Sequence, residues 1–333
     1  MLELLKKLTQ TNAPSGSEER LHNIITEEIK DYVDEITIDP LGNLIAHKKG
    51  NGAKVMFAAH MDEIGLIVTY ITDKGFLKVS NLGGVSPTTA LHQRVIFSNR
   101  TVGVVALDDT NADLSKGIRL SDLYVDIGAG SKEEAEKLVS IGDSAAFCGD
   151  FYANGNTVIS KALDDRSGCA VLISAIKQIK TVKNDLYFVF TISEELGLRG
   201  AKTSAYSVAP DYAVAIDVTR TGDTPSKLSM AVKLGGGAAI KIKDSSFLAH
   251  PYIKQLMKET CEEFSINHQF EVLEAGGTDS GAIHLSGGGV ATGCISIPTR
   301  YIHSPSEQVD LRDLESAAEL AVKMIEKGFN QGA

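Results

Sequence analysis

Four short apolar runs constrain this chain more than any other feature. They are Lys54–His60 (KVMFAAH), Asp185–Ser193 (DLYFVFTIS), Asp211–Asp217 (DYAVAID) and Val290–Ile297. Each is too short for a buried helix and lacks the polar alternation of a strand with one wet face. Each therefore predicts a strand covered on both sides. Such strands belong to sheets with helices packed on both faces. The spacing predicts those helices over Asp165–Ile179 and Tyr252–Phe264. Leu311, Leu314, Ala318, Ala321, Val322, Ile325 and Phe329 form the apolar stripe of a closing helix, with Asp310 placed to cap it.

Between Gly65 and Tyr152 the texture changes. Leu66–Thr72, Phe76–Ser80, Arg94–Phe97 and Val102–Leu107 are short, β-branched and separated by Gly, Asn or Asp, with one short helix over Ser131–Ser140. That pattern predicts a small all-β unit of the barrel kind. The expected organisation is an α/β domain in two pieces, residues 1–65 and 158–333, interrupted by a β insert of residues 66–157. Near the start, Met1–Asn12 reads as an amphipathic helix. Ser15-Gly16-Ser17-Glu18 fits a capping box that opens a helix running to Tyr32.

Charge narrows the partners. Of 333 residues, 43 are Asp or Glu and 33 are Lys or Arg, a net charge of −10. That balance favours neither nucleic acid nor an anionic membrane. The four cysteines form no CxxC pair, so neither a disulfide framework nor a thiolate zinc site is indicated. No apolar run has transmembrane length and no signal peptide is evident, so the expectation is a cytoplasmic protein.

The chemistry gathers where the strands end. Lys54–His60 ends in His60, with Asp62 two residues on. Asp185–Ser193 runs into Glu194 and Glu195. Asp211–Asp217 ends in Asp217, the run Val290–Ile297 leads to His303, and Asp164–Asp165 opens a helix. In open α/β sheets, ligands bind outside the carboxyl ends of the strands. Carboxylates converging there would repel one another, and with little Lys or Arg beside them metal cations are their natural partners. Two His and several carboxylates without thiolate suit zinc, cobalt or manganese. They outnumber the ligands of one tetrahedral ion, which argues for two ions sharing a carboxylate. Taken singly, the His reads as structural, Glu194–Glu195 as a solvated helix start and Asp164–Asp165 as a cap. The signal is their coincidence. His22, His47, His92, His250, His268 and His284 lack such a setting, and the two Gly triplets read as tight loops.

The same segments carry motifs in order: Ala59-His60-Met61-Asp62-Glu63-Ile64-Gly65, Ala162-Leu163-Asp164-Asp165-Arg166, Ser193-Glu194-Glu195-Leu196-Gly197, Ala215-Ile216-Asp217-Val218, Gly276-Gly277-Thr278-Asp279-Ser280 and Arg300-Tyr301-Ile302-His303-Ser304-Pro305. Over nearly its whole length the chain resembles the tetrahedral ("TET") cytosolic metallo-aminopeptidases, the glutamyl/leucyl/deblocking family. The resemblance implies an α/β/α metallopeptidase domain with an inserted dimerisation barrel. It implies two divalent ions, zinc or cobalt with manganese an option, one on His60, Asp164 and Asp217 and the other on Asp164, Glu195 and His303. It casts Glu194 as catalytic base and Asp62 as the carboxylate orienting His60. It also implies a cis Asp164–Asp165 peptide and a substrate pocket at Gly277, Thr278 and Asp279. Its substrates are peptides with free N-termini, and its dimers assemble into a hollow homododecamer. On a strand, Glu194 and Glu195 would point to opposite sides, one to a metal and one to substrate.

Three other readings compete. A deacylase or amidohydrolase of blocked amino acids would use the same metals. A glycoside hydrolase (endoglucanase) would use paired carboxylates but leave His60 and His303 idle. A non-catalytic shell would use metals only to hold its assembly together.

Overall fold

The four apolar runs pair side by side. In the computed structural model, which describes residues 1–108, 117–225 and 229–330, Lys54–His60 lies parallel between Asp185–Thr191 and Tyr212–Thr219. Ala291–Arg300 adds parallel to Tyr212–Thr219. The register sets Thr191 opposite His60 and Asp217 opposite Ser296. All four carboxyl ends thus open onto one rim.

Antiparallel strands widen this sheet on both sides. The hairpin Glu35–Ile38/Leu44–Lys48 joins Asp185–Thr191. Glu307–Asp310, Thr157–Ser160 and Tyr152–Asn154 continue from Ala291–Arg300, from which Ala238–Lys243 and His268–Val272 branch. One face packs against the helices Leu163–Gln178 and Leu311–Lys327, where Phe57 meets Phe188 and Phe329. On the other face Met56, Ala58 and Val189 meet Ala201 and Ala205 of the helix Arg199–Val208. Burial on both faces is what the unbroken apolar runs require.

Six strands between Gly65 and Phe147 close into an antiparallel barrel. Alternate residues such as Leu66 and Val68, Leu77 and Val79, and Val105 fill its interior. Closure removes the exposed strand edges that so short a set would otherwise present. The barrel begins three residues after Asp62, so its base abuts the rim of the large sheet.

Ser15 and Glu18 do not form a capping box. The helix Glu19–Ile29 has no side-chain cap, and the Ser15 hydroxyl is donated instead to the buried carboxylate of Asp62. The charged acceptor turns that hydroxyl into the site and away from the N-terminus of the helix. Asp310 does cap the closing helix, accepting from Arg312 N at 2.9 Å. Among the described residues, no helix is long and apolar enough to cross a membrane.

Candidate active site

His60, the last residue of its strand, points Nε2 at Asp164 Oδ1, 3.1 Å away, with Asp217 Oδ1 and Glu194 Oε2 each at 4.0 Å. His303 Nε2 lies 3.3 Å from the other oxygen of Asp164 and 3.0 Å from Glu195 Oε1. One carboxylate therefore stands between two imidazoles. The ligand atoms of His60, Asp164 and Asp217 lie within 4.8 Å of one another, and so do those of Asp164, Glu195 and His303. Two three-donor nitrogen and oxygen sets sharing an aspartate fit a pair of zinc-like cations in donor type and number.

The proton balance supports the fit. Burial alone would depress His60, yet Asp164 and Asp62 hold its imidazole well above the usual value. Burial opposes His303 too, but Asp164 and Glu195 push it up to about 11. Asp164 sits well below the carboxylate range despite its burial, because both imidazoles bond to it. Burial and then neighbouring carboxylates drive Asp217 and Glu194 well up. Carboxylates gathered this closely out of water call for added positive charge.

Glu194 and Glu195 diverge, though not by strand alternation. The ladder stops at Thr191, and Ser193 takes a left-handed φ of +51°. The Glu194 carbonyl then accepts from Gly197 N and Leu198 N, closing a tight turn. Asp62 holds that turn from below, accepting from Glu194 N at 3.0 Å and Glu195 N at 3.2 Å. Asp62 Oδ1 also stands 3.4 Å from His60 Nδ1, the nitrogen turned away from Asp164.

Glu307, Gly83 and Gly84 support the site and lie in none of the motifs, and Asp165 supports it from within one. Glu307 accepts from Asp164 N at 3.0 Å and from His303 N at 2.8 Å. Asp165, joined to Asp164 by a cis peptide as the resemblance implies, accepts from His60 N at 3.3 Å. Gly83 and Gly84 come from the barrel. A Cβ at Gly83 would meet Glu195 Oε2 at 2.7 Å, and one at Gly84 would meet His303 Nδ1 at 2.4 Å. Only glycine lets that loop close on the second donor set.

A cleft of about 1100 Å³ opens above both sets, its walls including Leu198, Met230, Phe270 and Val272. Gly277 lines it. Thr278 and Asp279 lie buried below, 1% and 2% exposed, with Asp279 accepting from Thr191 Oγ1 at 2.6 Å.

The M42 glutamyl aminopeptidase model matches residues 42–320. A protein of Acetivibrio thermocellus, provisionally named an aminopeptidase, is 55% identical over 98% of both chains. Aminopeptidase APDkam598 from the archaeon Desulfurococcus kamchatkensis superposes with a TM-score of 0.94 at 44% identity, over 98% of this chain and 94% of its own. The Pyrococcus horikoshii TET1 peptidase, described as assembling into a tetrahedron or a large octahedral shell, has a TM-score of 0.85 at 37% identity over 97% and 98%. The chain belongs to the M42 glutamyl aminopeptidase family and is a hydrolase acting on peptide bonds.

Proposed function

We propose that the protein removes amino-terminal residues from peptides with free N-termini, using two divalent cations. One would be held by His60, Asp164 and Asp217, the other by Asp164, Glu195 and His303. The observation that carries this reading is the Asp164 carboxylate, with one oxygen on each imidazole. When bound, such ions lower the pKa of water toward neutrality and polarise the scissile carbonyl.

The chain's own residues do the rest. Glu194 takes a proton and returns it to the leaving amine. Burial, first of all, raises its affinity for protons, the direction that a group taking up and returning a proton requires. Asp62 fixes the ring of His60 at Nδ1, where its own carbonyl stands at 3.1 Å and its carboxylate at 3.4 Å. Gly277 offers bare backbone to substrate in the cleft, with Thr278 and Asp279 supporting it from beneath. Zinc and cobalt suit the donors best, and manganese is tolerated. Likeness to relatives solved as a dodecamer and as a tetrahedral or octahedral shell supports assembly into a dodecamer; the barrel insert, residues 66–157, is the dimerisation unit that the family resemblance implies, and the proposed setting is the cytoplasm.

The test follows release of N-terminal residues from free and N-acetylated peptides by the protein as purified, after chelation, and after cobalt or zinc is restored. Metal-dependent trimming of free N-termini is expected. Release of acyl groups alone would move the reading to a deacylase, glucan hydrolysis surviving chelation to a glycosidase. No turnover in any metal condition would leave only a shell.

A further inference from the structure

The turn joining the first two helices reaches into the catalytic centre. Ser15 and Glu18 are each 4% exposed. Ser15 Oγ donates to Asp62 Oδ2 at 2.6 Å, the same oxygen that accepts from Glu195 N. Glu18 Oε1 accepts from Ser193 N at 3.0 Å and from the Ser193 hydroxyl at 3.3 Å, while its other oxygen accepts from Gly16 N. One short turn thus anchors three consecutive residues, Ser193, Glu194 and Glu195, two of them through Asp62.

The turn is itself rigidly held. Arg166 is wholly buried and donates to the carbonyls of Leu8, Thr11, Ala13 and Met61. Ala13 N donates to Glu63 Oε1 at 2.9 Å, and Pro14 bridges to Glu63. The N-terminal segment is therefore strapped to the loop that carries Asp62.

We infer that Ser15 is a positioning residue for the reaction, acting through Asp62 on the Glu194–Glu195 turn, with Glu18 as the second anchor of that turn. The inference rests on the reading of Glu194 as proton carrier and Glu195 as ligand. Asp62 must satisfy the two backbone amides and face His60 at once, which fixes its rotation. A hydroxyl donated to a carboxylate is short and roughly twice as strong as a neutral bond, so it is suited to lock that rotation. Without it the carboxylate can turn, the amides loosen, and Glu194 moves by tenths of an ångström. Displacements of that size tell on turnover more than on binding.

Ser15→Ala is compared with the wild type in two arms. In metal-free protein without substrate, hydrogen exchange at residues 193–195 should rise about tenfold while the helix Leu311–Lys327 keeps its protection. With metal restored, kcat for a free peptide should fall about tenfold with KM within about twofold. On an Asp62→Asn background the same change should add no further loss, since Ser15 acts only through Asp62. Glu18→Gln keeps an acceptor for Ser193 but aims its NH2 at Gly16 N, so its rate should fall between those of the wild type and Glu18→Ala. If Ser15→Ala does not fold, Ser15→Cys, a weaker donor of similar size, gives the graded form of both arms. Unchanged exchange, or an equal fold-loss on both backgrounds, overturns the inference. If the wild type trims no peptide, the functional reading falls while the exchange arm still decides the positioning.

Discussion

Asp164 and His303 are joined twice. Their side chains meet at 3.3 Å, and their backbone amides are both held by the one carboxylate of Glu307. A residue outside both donor sets thus sets the distance between a shared ligand and a ligand of the second set.

Glu307→Gln tests that bridge. An amide has one acceptor oxygen, so it cannot serve both backbone N–H groups and aims a donor at one of them. Metal affinity should fall by about ten- to a hundredfold, as is typical when support behind a ligand is lost. Competition with a chelating dye reads this out, and unaltered affinity would show that the bridge is dispensable.

Glu194→Gln keeps the shape of the side chain and removes its basicity. The variant should bind metal as the wild type does and lose roughly a hundred- to ten-thousandfold in kcat. Loss of metal would instead make Glu194 a ligand, and near-normal turnover would take the proton-carrying role from it.

Gly84→Ala places a methyl 2.4 Å from His303 Nδ1. The ring has to move off Asp164 and Glu195, so activity should drop by at least about tenfold with little change in melting temperature. Full activity would mean that the barrel loop yields instead of the ring.

Metal uptake should release protons. Their carboxylate partners favour the protonated imidazoles of His60 and His303, pushing His303 up to about 11, and each ring offers Nε2 to those partners. A cation on those nitrogens must displace the protons, so affinity should weaken as pH falls. Calorimetric titration in buffers of different ionisation enthalpy measures the release; heats that do not depend on buffer would contradict it.

Outside the lining of the cleft, Asp313 is buried and accepts from Gly235 N and Gly237 N, each at 2.7 Å. Burial raises its carboxyl to about 7 from the usual 3.8, the backbone bonds opposing. A raised acid contributes stability that is present below the unfolded value and lost as pH rises through the folded one. Asp313→Asn should therefore gain relative to wild type between pH 4 and 7, seen as a melting-temperature difference that shifts in the variant's favour. A difference that does not move across that window would show that Asp313 stays ionised.

The rim of the sheet was legible because parallel strands end together, so unbroken apolar runs also report where chemistry collects. His60, Glu195, Asp217 and His303 each stand within a few residues of such an end, and Asp164 joins them from the helix that follows the antiparallel strand Thr157–Ser160. The divergence of Glu194 and Glu195 was misjudged because Ile192 is apolar and buried and prolongs the run, while the chain leaves its ladder at Thr191. Ser15 and Glu18 fit a local motif so well that their contacts with Asp62 and Ser193, 47 and 175 residues away, went unread. Glu307 shows the same blindness, bonding across 143 residues from a short strand with no periodic signal of its own. Gly83 and Gly84 are ordinary turn residues until the ring they admit is known.

The loop at Gly83–Gly84 makes the inserted barrel more than an appendage. Cutting out the barrel strands, residues 66–147, and rejoining the chain would leave every strand of the large sheet in place, yet strip one wall from around His303 and Glu195. Anything that grips the barrel from outside, a second subunit included, therefore has a mechanical handle on the chemistry, and a defect seeded in its far strands would be diagnosed at the bench as poor metal retention.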